Sequence, residues 1–157
     1  MSEIISPEKT FVLLKPDAVR RGLMGEIIER FEKRGLKIVG MKMIFIEKEH
    51  AKRHYKEHEG KPFFDELVGF ITSGPVVAMV IEGVNAIKVV RKIVGSTNPL
   101  DAMPGTIRGD FAHNLPAGGK NLIHASANEQ DAEREIELWF SPDEINTYSR
   151  DDEVDTF

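Results

Sequence analysis

An alternation dominates this sequence and limits the folds open to it. Four apolar runs of strand length are separated by segments whose apolar residues recur at helical spacing. The first run, Thr10 to Lys15 (TFVLLK), ends at Pro16-Asp17 and reads as a buried strand followed by a turn. Met24, Ile27, Ile28 and Phe31 then mark an amphipathic helix, with Lys33 and Arg34 in its last turn and Gly35 placed as a left-handed terminator. Leu36 to Ile46 is rich in β-branched and bulky residues and predicts a second strand bent near Gly40. Two short helices, Glu49 to Tyr55 and Pro62 to Ile71, form an insert. Pro75 to Ile81 is a third strand, and Val89, Val90, Ile93 and Val94 mark a helix opened by Asn85 and closed by Gly95. Asn121 to His124 is a last short strand; Ala132, Ile136, Trp139 and Phe140 mark a closing helix. This order predicts an α+β fold. Specifically, it suits a ferredoxin-like split βαβ sandwich, a four-stranded antiparallel sheet with helices on one face and a helical insert. A doubly wound sheet is the main rival. The length, 157 residues, suits a single domain spanning 1–157.

Composition removes several function classes. There is no cysteine, so disulfides, thiolate nucleophiles and Cys-based metal sites are excluded. No apolar stretch approaches the roughly 18 residues of a membrane span, and the N-terminus lacks the basic start and apolar run of a signal peptide, so no membrane and a cytoplasmic location are expected. The net charge of −5 argues against dedicated nucleic-acid binding, and any anion site must be built from converging cations. From Ser96 to Lys120 the sequence turns to Gly, Pro, Asn and Asp, a stretch long enough that a compact domain keeps it for function. The tail, SRDDEVDTF, is polar and acidic and is expected on the surface or against a neighbouring subunit.

The chemistry concentrates at His124. It ends a strand and is followed by Ser126 and Glu129, which read as the capping box of the next helix. A helix N-terminus welcomes anions, and imidazole is largely neutral and nucleophilic near pH 7. On spacing alone, a lone histidine is more often structural. Likewise Arg91, with Lys88 and Lys92, reads by itself as a solvated basic face, and His50, His54 and His58, every four residues with Lys52, Lys56 and Glu57 between, read as a solvated face rather than a metal site.

The neighbouring sequence changes that balance. NLIHAS at 121–126 resembles the active-site signature of nucleoside diphosphate kinases. KPDAVRRGLMGEI at 15–27, HYKEHEGKPFF at 54–64, SGPVVAMVIEG at 73–83, GSTNPLDAMPGTIRGDF at 95–111 and REIELWF at 134–140 match the same family in order. The resemblance implies a ping-pong transfer of the γ-phosphoryl group from a nucleoside triphosphate to a nucleoside diphosphate, with His124 phosphorylated on Nδ1 between the two halves. It assigns Lys15, Arg91 and Arg108 to the phosphates, Thr97 and Asn121 to phosphate and sugar, and Phe63 to the base. A stacked base is held by its π-face, which suits an enzyme that accepts every base. Tyr55 is implied as a hydroxyl near the phosphoryl group, Glu135 as the carboxylate orienting the imidazole, and Ser126 as the residue positioning Glu135. Mg²⁺ is implied as the companion of the phosphates, with no protein-built cage, and self-association as a homo-oligomer, most often a hexamer with tetramers known. Two departures stand out: Ala127 where the family usually has Asp, and a longer 111–120 segment. A scaffold that only binds nucleotides and a phosphohistidine carrier serving a protein partner are the alternatives.

Overall fold

β1 (Glu8–Leu14) is fully buried from Thr10 onward because both of its faces are covered. Val12 and Leu14 point into one core and Phe11 and Leu13 into another, as the period of two in a strand requires. The computed structural model describes residues 6–156. After β1 the chain forms α1 (Pro16–Arg20), α2 (Met24–Arg34) and β2 (Lys37–Ile44), then α3 (Lys48–His54) and α4 (Phe64–Ile71) of the insert. β3 (Val76–Gly83), α5 (Ala86–Val94), α6 (Ile107–Phe111), β4 (Ile123–Ala125), α7 (Glu129–Trp139) and α8 (Glu153–Thr156) follow.

The strands are ordered β2-β3-β1-β4 and every pair is antiparallel, which excludes the doubly wound alternative. The crossover helices α2 and α5 lie on one face, contributing Ile27, Phe31, Val90 and Val94 to its core. The opposite face is covered by the insert, through Ala51, Val68 and Ile71, and also by α7 through Trp139. Gly35 ends α2 at φ 100°, where it accommodates the left-handed turn expected of it.

One capping expectation fails and a second holds in position only. α7 starts at Asn128, whose side chain accepts the Asp131 N–H, so Ser126 and Glu129 form no capping box. Ser126 is withdrawn into the core instead. Asn85 does precede α5, but at φ 55° with no side-chain cap; the Glu8 carboxylate accepts the Ile87 N–H in its place. The bend expected at Gly40 is a register shift between Ile38 and Gly40. One extra residue reverses which side chains face which core. Ile38 therefore packs with the α2–α5 core, whereas Ile44 packs with the other, and Met41 and Met43 are left exposed.

The tail folds back onto its own chain. Asn146 N–H donates to Val39 O, Arg150 reaches Glu32 O and Leu36 O, and Lys37 pairs with Glu153 at 2.7 Å.

Candidate active site

β4 pairs with β1 so that His124 stands opposite Leu13. Its neighbours Ile123 and Ala125 enter the α2–α5 core, so the imidazole projects to the other face, toward α3 and α7. There Nε2 meets Glu135 Oε2 at 2.8 Å. Glu135 is 3% exposed, and its second oxygen accepts the Ser126 hydroxyl at 2.6 Å. A carboxylate accepts only from a protonated nitrogen, so Glu135 keeps the proton on Nε2 and leaves the lone pair on Nδ1.

His54 lies beside this pair, its ring centroid 4.7 Å from that of His124, and is buried rather than solvated. The helical spacing of His50, His54 and His58 misleads because α3 turns this one residue into the core. Burial, with the nearby His124 second, holds His54 well below its ordinary value, so it stays neutral. His54, His124 and Glu135 offer ligand atoms within 4.8 Å of one another. However, the Trp139 indole donates to His54 Nδ1 at 3.1 Å, so Nε2 must carry the proton, and that nitrogen donates rather than ligates.

Between β1 and β4 the backbone is held tightly. Leu122 has φ 76°, and Ile123 N–H bonds back to Asn121 O at 3.0 Å, closing a γ-turn. The next side chains serve Lys15. Its ammonium donates to Asn121 Oδ1 and to Gly119 O, both at 2.8 Å. Asn121 is in turn anchored by donating to Thr97 O. Burial pulls the Lys15 pKa down to about 7; Arg108 adds to the fall and Asp17 opposes it.

Arg108, 7% exposed, donates from Nε to Asn121 O, from Nη1 to Gly95 O and from Nη2 to Ile123 O. Three carbonyls thus hold the guanidinium, leaving the second proton of each terminal nitrogen for a ligand. Burial, then Arg91, lowers its pKa to about 10, so it remains charged at neutral pH. Arg91 itself bonds Ala125 O at 3.3 Å.

These cations line a cleft of about 600 Å³, together with Thr97, Asn121 and His124. Tyr55 and Phe63 form its other wall. The Tyr55 hydroxyl is buried without a hydrogen-bond partner, and burial pushes its pKa up, so it stays a neutral donor. Phe63 is 44% exposed, unlike a core aromatic, with His58 at 5.4 Å and the Lys61 ammonium at 5.8 Å from its ring centroid. Glu135 and Ser126 stand behind His124 instead of lining the cleft. Ala127 lines it, so no carboxylate is present at that position. Glu57 and Glu66 are the carboxylates on the lining among the described residues, too few and too scattered to cage a divalent ion. Asp17 and His54 are the residues that reading along the chain missed. Asp17 reads as part of a turn after a proline, and nothing local signals its partner 105 residues away.

A family model described as nucleoside diphosphate kinase matches residues 8–145. The chain is 61% identical over 146 residues to the nucleoside diphosphate kinase of Archaeoglobus fulgidus, covering 93% of this chain and 95% of that one. It is 58% identical over 141 residues to that of Staphylococcus epidermidis, covering 90% and 93%. Among solved structures, a halophilic nucleoside diphosphate kinase from Halobacterium salinarum in complex with CDP superposes with a TM-score of 0.90 at 52% identity, over 96% of this chain and 98% of that one. A transition-state mimic of the Borrelia burgdorferi nucleoside-diphosphate kinase with bound vanadate and ADP gives 0.88 at 45% identity, over 96% of both chains.

Proposed function

The chain belongs to the nucleoside diphosphate kinase family, and we propose that it moves the γ-phosphoryl group between nucleotides by way of His124. The carrying observation is the pairing of Nε2 with buried Glu135, which reserves Nδ1 for attack from within a cation-lined cleft. In the first half-reaction Nδ1 forms a bond to the γ-phosphorus, the bond to the bridging oxygen breaks, and the diphosphate leaves with that electron pair. The second half reverses the step onto a different diphosphate. Positive charge developing on the ring is met by Glu135, which Ser126 holds. Lys15, Arg91 and Arg108 offset charge on the phosphoryl oxygens, and the unpartnered Tyr55 hydroxyl is a donor left for the same group. Thr97 and Asn121 supply neutral hydrogen bonds to phosphate and sugar, and Phe63 the stacking face.

The donor set fits Mg²⁺ carried in by the nucleotide phosphates, keeping its waters, and not an ion held by the protein. When bound it neutralises phosphate charge. Both cores share one sheet, which supports one domain bearing one site. No helix among the described residues is long and apolar enough to cross a membrane, and the cytoplasm, where nucleotides are plentiful, is the expected location.

We also infer a homo-oligomer. Met41, Met43 and Phe45, 53–66% exposed, crowd the edge strand β2, while Leu100 and Met103 protrude from a separate segment at 67% and 70%. A twofold dimer needs one self-complementary patch; two distinct patches support a larger closed assembly such as a hexamer.

The test is transfer of label. The protein is mixed with Mg²⁺ and γ-labelled ATP, then with GDP, alongside His124→Ala. Acid-labile label near one per chain that moves to GDP and is lost in the variant is expected; a folded protein that binds nucleotide yet takes no label would leave only the scaffold reading.

A further inference from the structure

The transfer steps leave one half-buried acid without a task. Asp17, second residue of α1, accepts the Leu122 N–H on Oδ2 at 3.1 Å. Its Oδ1 is buried and has no hydrogen-bond partner. Leu122 is the residue at φ 76°, and it is completely buried. A β-carbon is disfavoured in that region, so the conformation persists only where the surroundings enforce it.

The enforcement comes from Lys15 and Asp17. Lys15 N–H donates to Leu122 O at 2.9 Å while Asp17 takes the Leu122 N–H, so the strained residue is gripped by both of its backbone polar groups. On one side of it is Asn121, whose Oδ1 holds the Lys15 ammonium. On the other, two residues on, is His124. If Leu122 relaxed to an ordinary φ, the chain on its two sides would turn about it, and Asn121, which holds Lys15, would lose its present placement relative to His124 in the cleft.

We propose that Asp17 is a positioning residue for phosphoryl transfer, its carboxylate holding the strained Leu122 turn closed and so fixing Asn121 and His124 in register with Lys15. The proposal rests on His124 being the phosphoryl carrier. Charge adds a second effect. Around the Lys15 ammonium stand Arg108, Asn121 Oδ1, Gly119 O and Asp17, with neutral His54 on the α3 side. Of these, Asp17 is the charged group that favours the protonated amine, against burial and Arg108.

The two effects separate in two variants. Asp17→Asn keeps an oxygen to accept the Leu122 N–H but removes the charge; Asp17→Ala removes both. Single-turnover formation of phosphohistidine from γ-labelled ATP is measured across pH, with hydrogen exchange of the Leu122 amide in the same samples. Asp17→Ala is expected to slow labelling at least about tenfold and to lose protection at Leu122. Asp17→Asn is expected to recover most of the rate and the protection, with its alkaline limb at lower pH than in the parent. Labelling of Asp17→Ala at the parent rate, or equal slowing of both variants with an unmoved limb, would overturn the proposal. If Asp17→Ala does not fold, Asp17→Asn decides through its amide protection and limb. Absence of label on the parent protein would instead remove the His124 reading itself.

Discussion

Lys15 carries the sharpest conflict between charge and burial in the site. At 6% exposure its ammonium has lost most of its water, Arg108 repels it, and two oxygens at 2.8 Å make only partial amends. With its pKa lowered to about 7, it is charged below that pH and neutral above. If the charged form binds phosphate, kcat/KM, which reports the free enzyme, must fall as pH rises through about 7. Comparing the pH profile of kcat/KM for ATP in the parent and in Lys15→Gln checks this: the variant should be slower throughout and lack that alkaline limb. The motifs alone singled out Lys15, Arg108 and His124, and the fold brings the three to one cleft. Their protonation was not, because it depends on burial and on partners distant in sequence.

The elements set these side chains with few free parameters. β4 has three residues, and their alternation decides that Ile123 and Ala125 are core while His124 faces α7. α6 does the same for Arg108. Thr106 caps it by accepting the Gly109 N–H, and a β-carbon at Gly109 would sit 2.0 Å from Met103 O. Gly109→Ala must therefore push this turn open, at a cost of about 1–3 kcal/mol by the general scale of overpacking. We expect a lower Tm together with weaker ADP binding, since Arg108 moves with the turn; thermal unfolding and a binding titration read the two. The element types and order were legible from hydrophobic period and from terminators such as Gly35. The start of α7 was not. Ser126 has the right spacing for a cap, but a buried carboxylate is a stronger claim on its hydroxyl than an exposed helix end, and Asn128 takes over the cap.

At the scale of the whole molecule, one sheet divides two cores and leaves an apolar edge. The register shift in β2 turns Met41 and Met43 out beyond the reach of α2 and α5, and the returning chain meets the strand at Lys37, Ile38 and Val39 and, through Glu144, at Lys42, leaving both methionines exposed. Substituting Met43→Glu should lower the oligomeric mass seen by sedimentation, while Tm measured on the separated species falls with the lost assembly; an unchanged mass would place the interface elsewhere. By itself the sequence determined the alternation of strands and helices, the family to which its motifs belong, and the set of residue types the chemistry needs. Those follow from local period, turn chemistry and residue identity. Only the tertiary structure decided what holds a proton on Nε2 of His124, that His54 is buried and neutral, that Ser126 does not cap the helix after it, and that Asp17 holds Leu122. Each of these depends on a partner brought near by the sheet, and neither hydrogen bonding nor loss of water can be read from a residue before its neighbours in space are known.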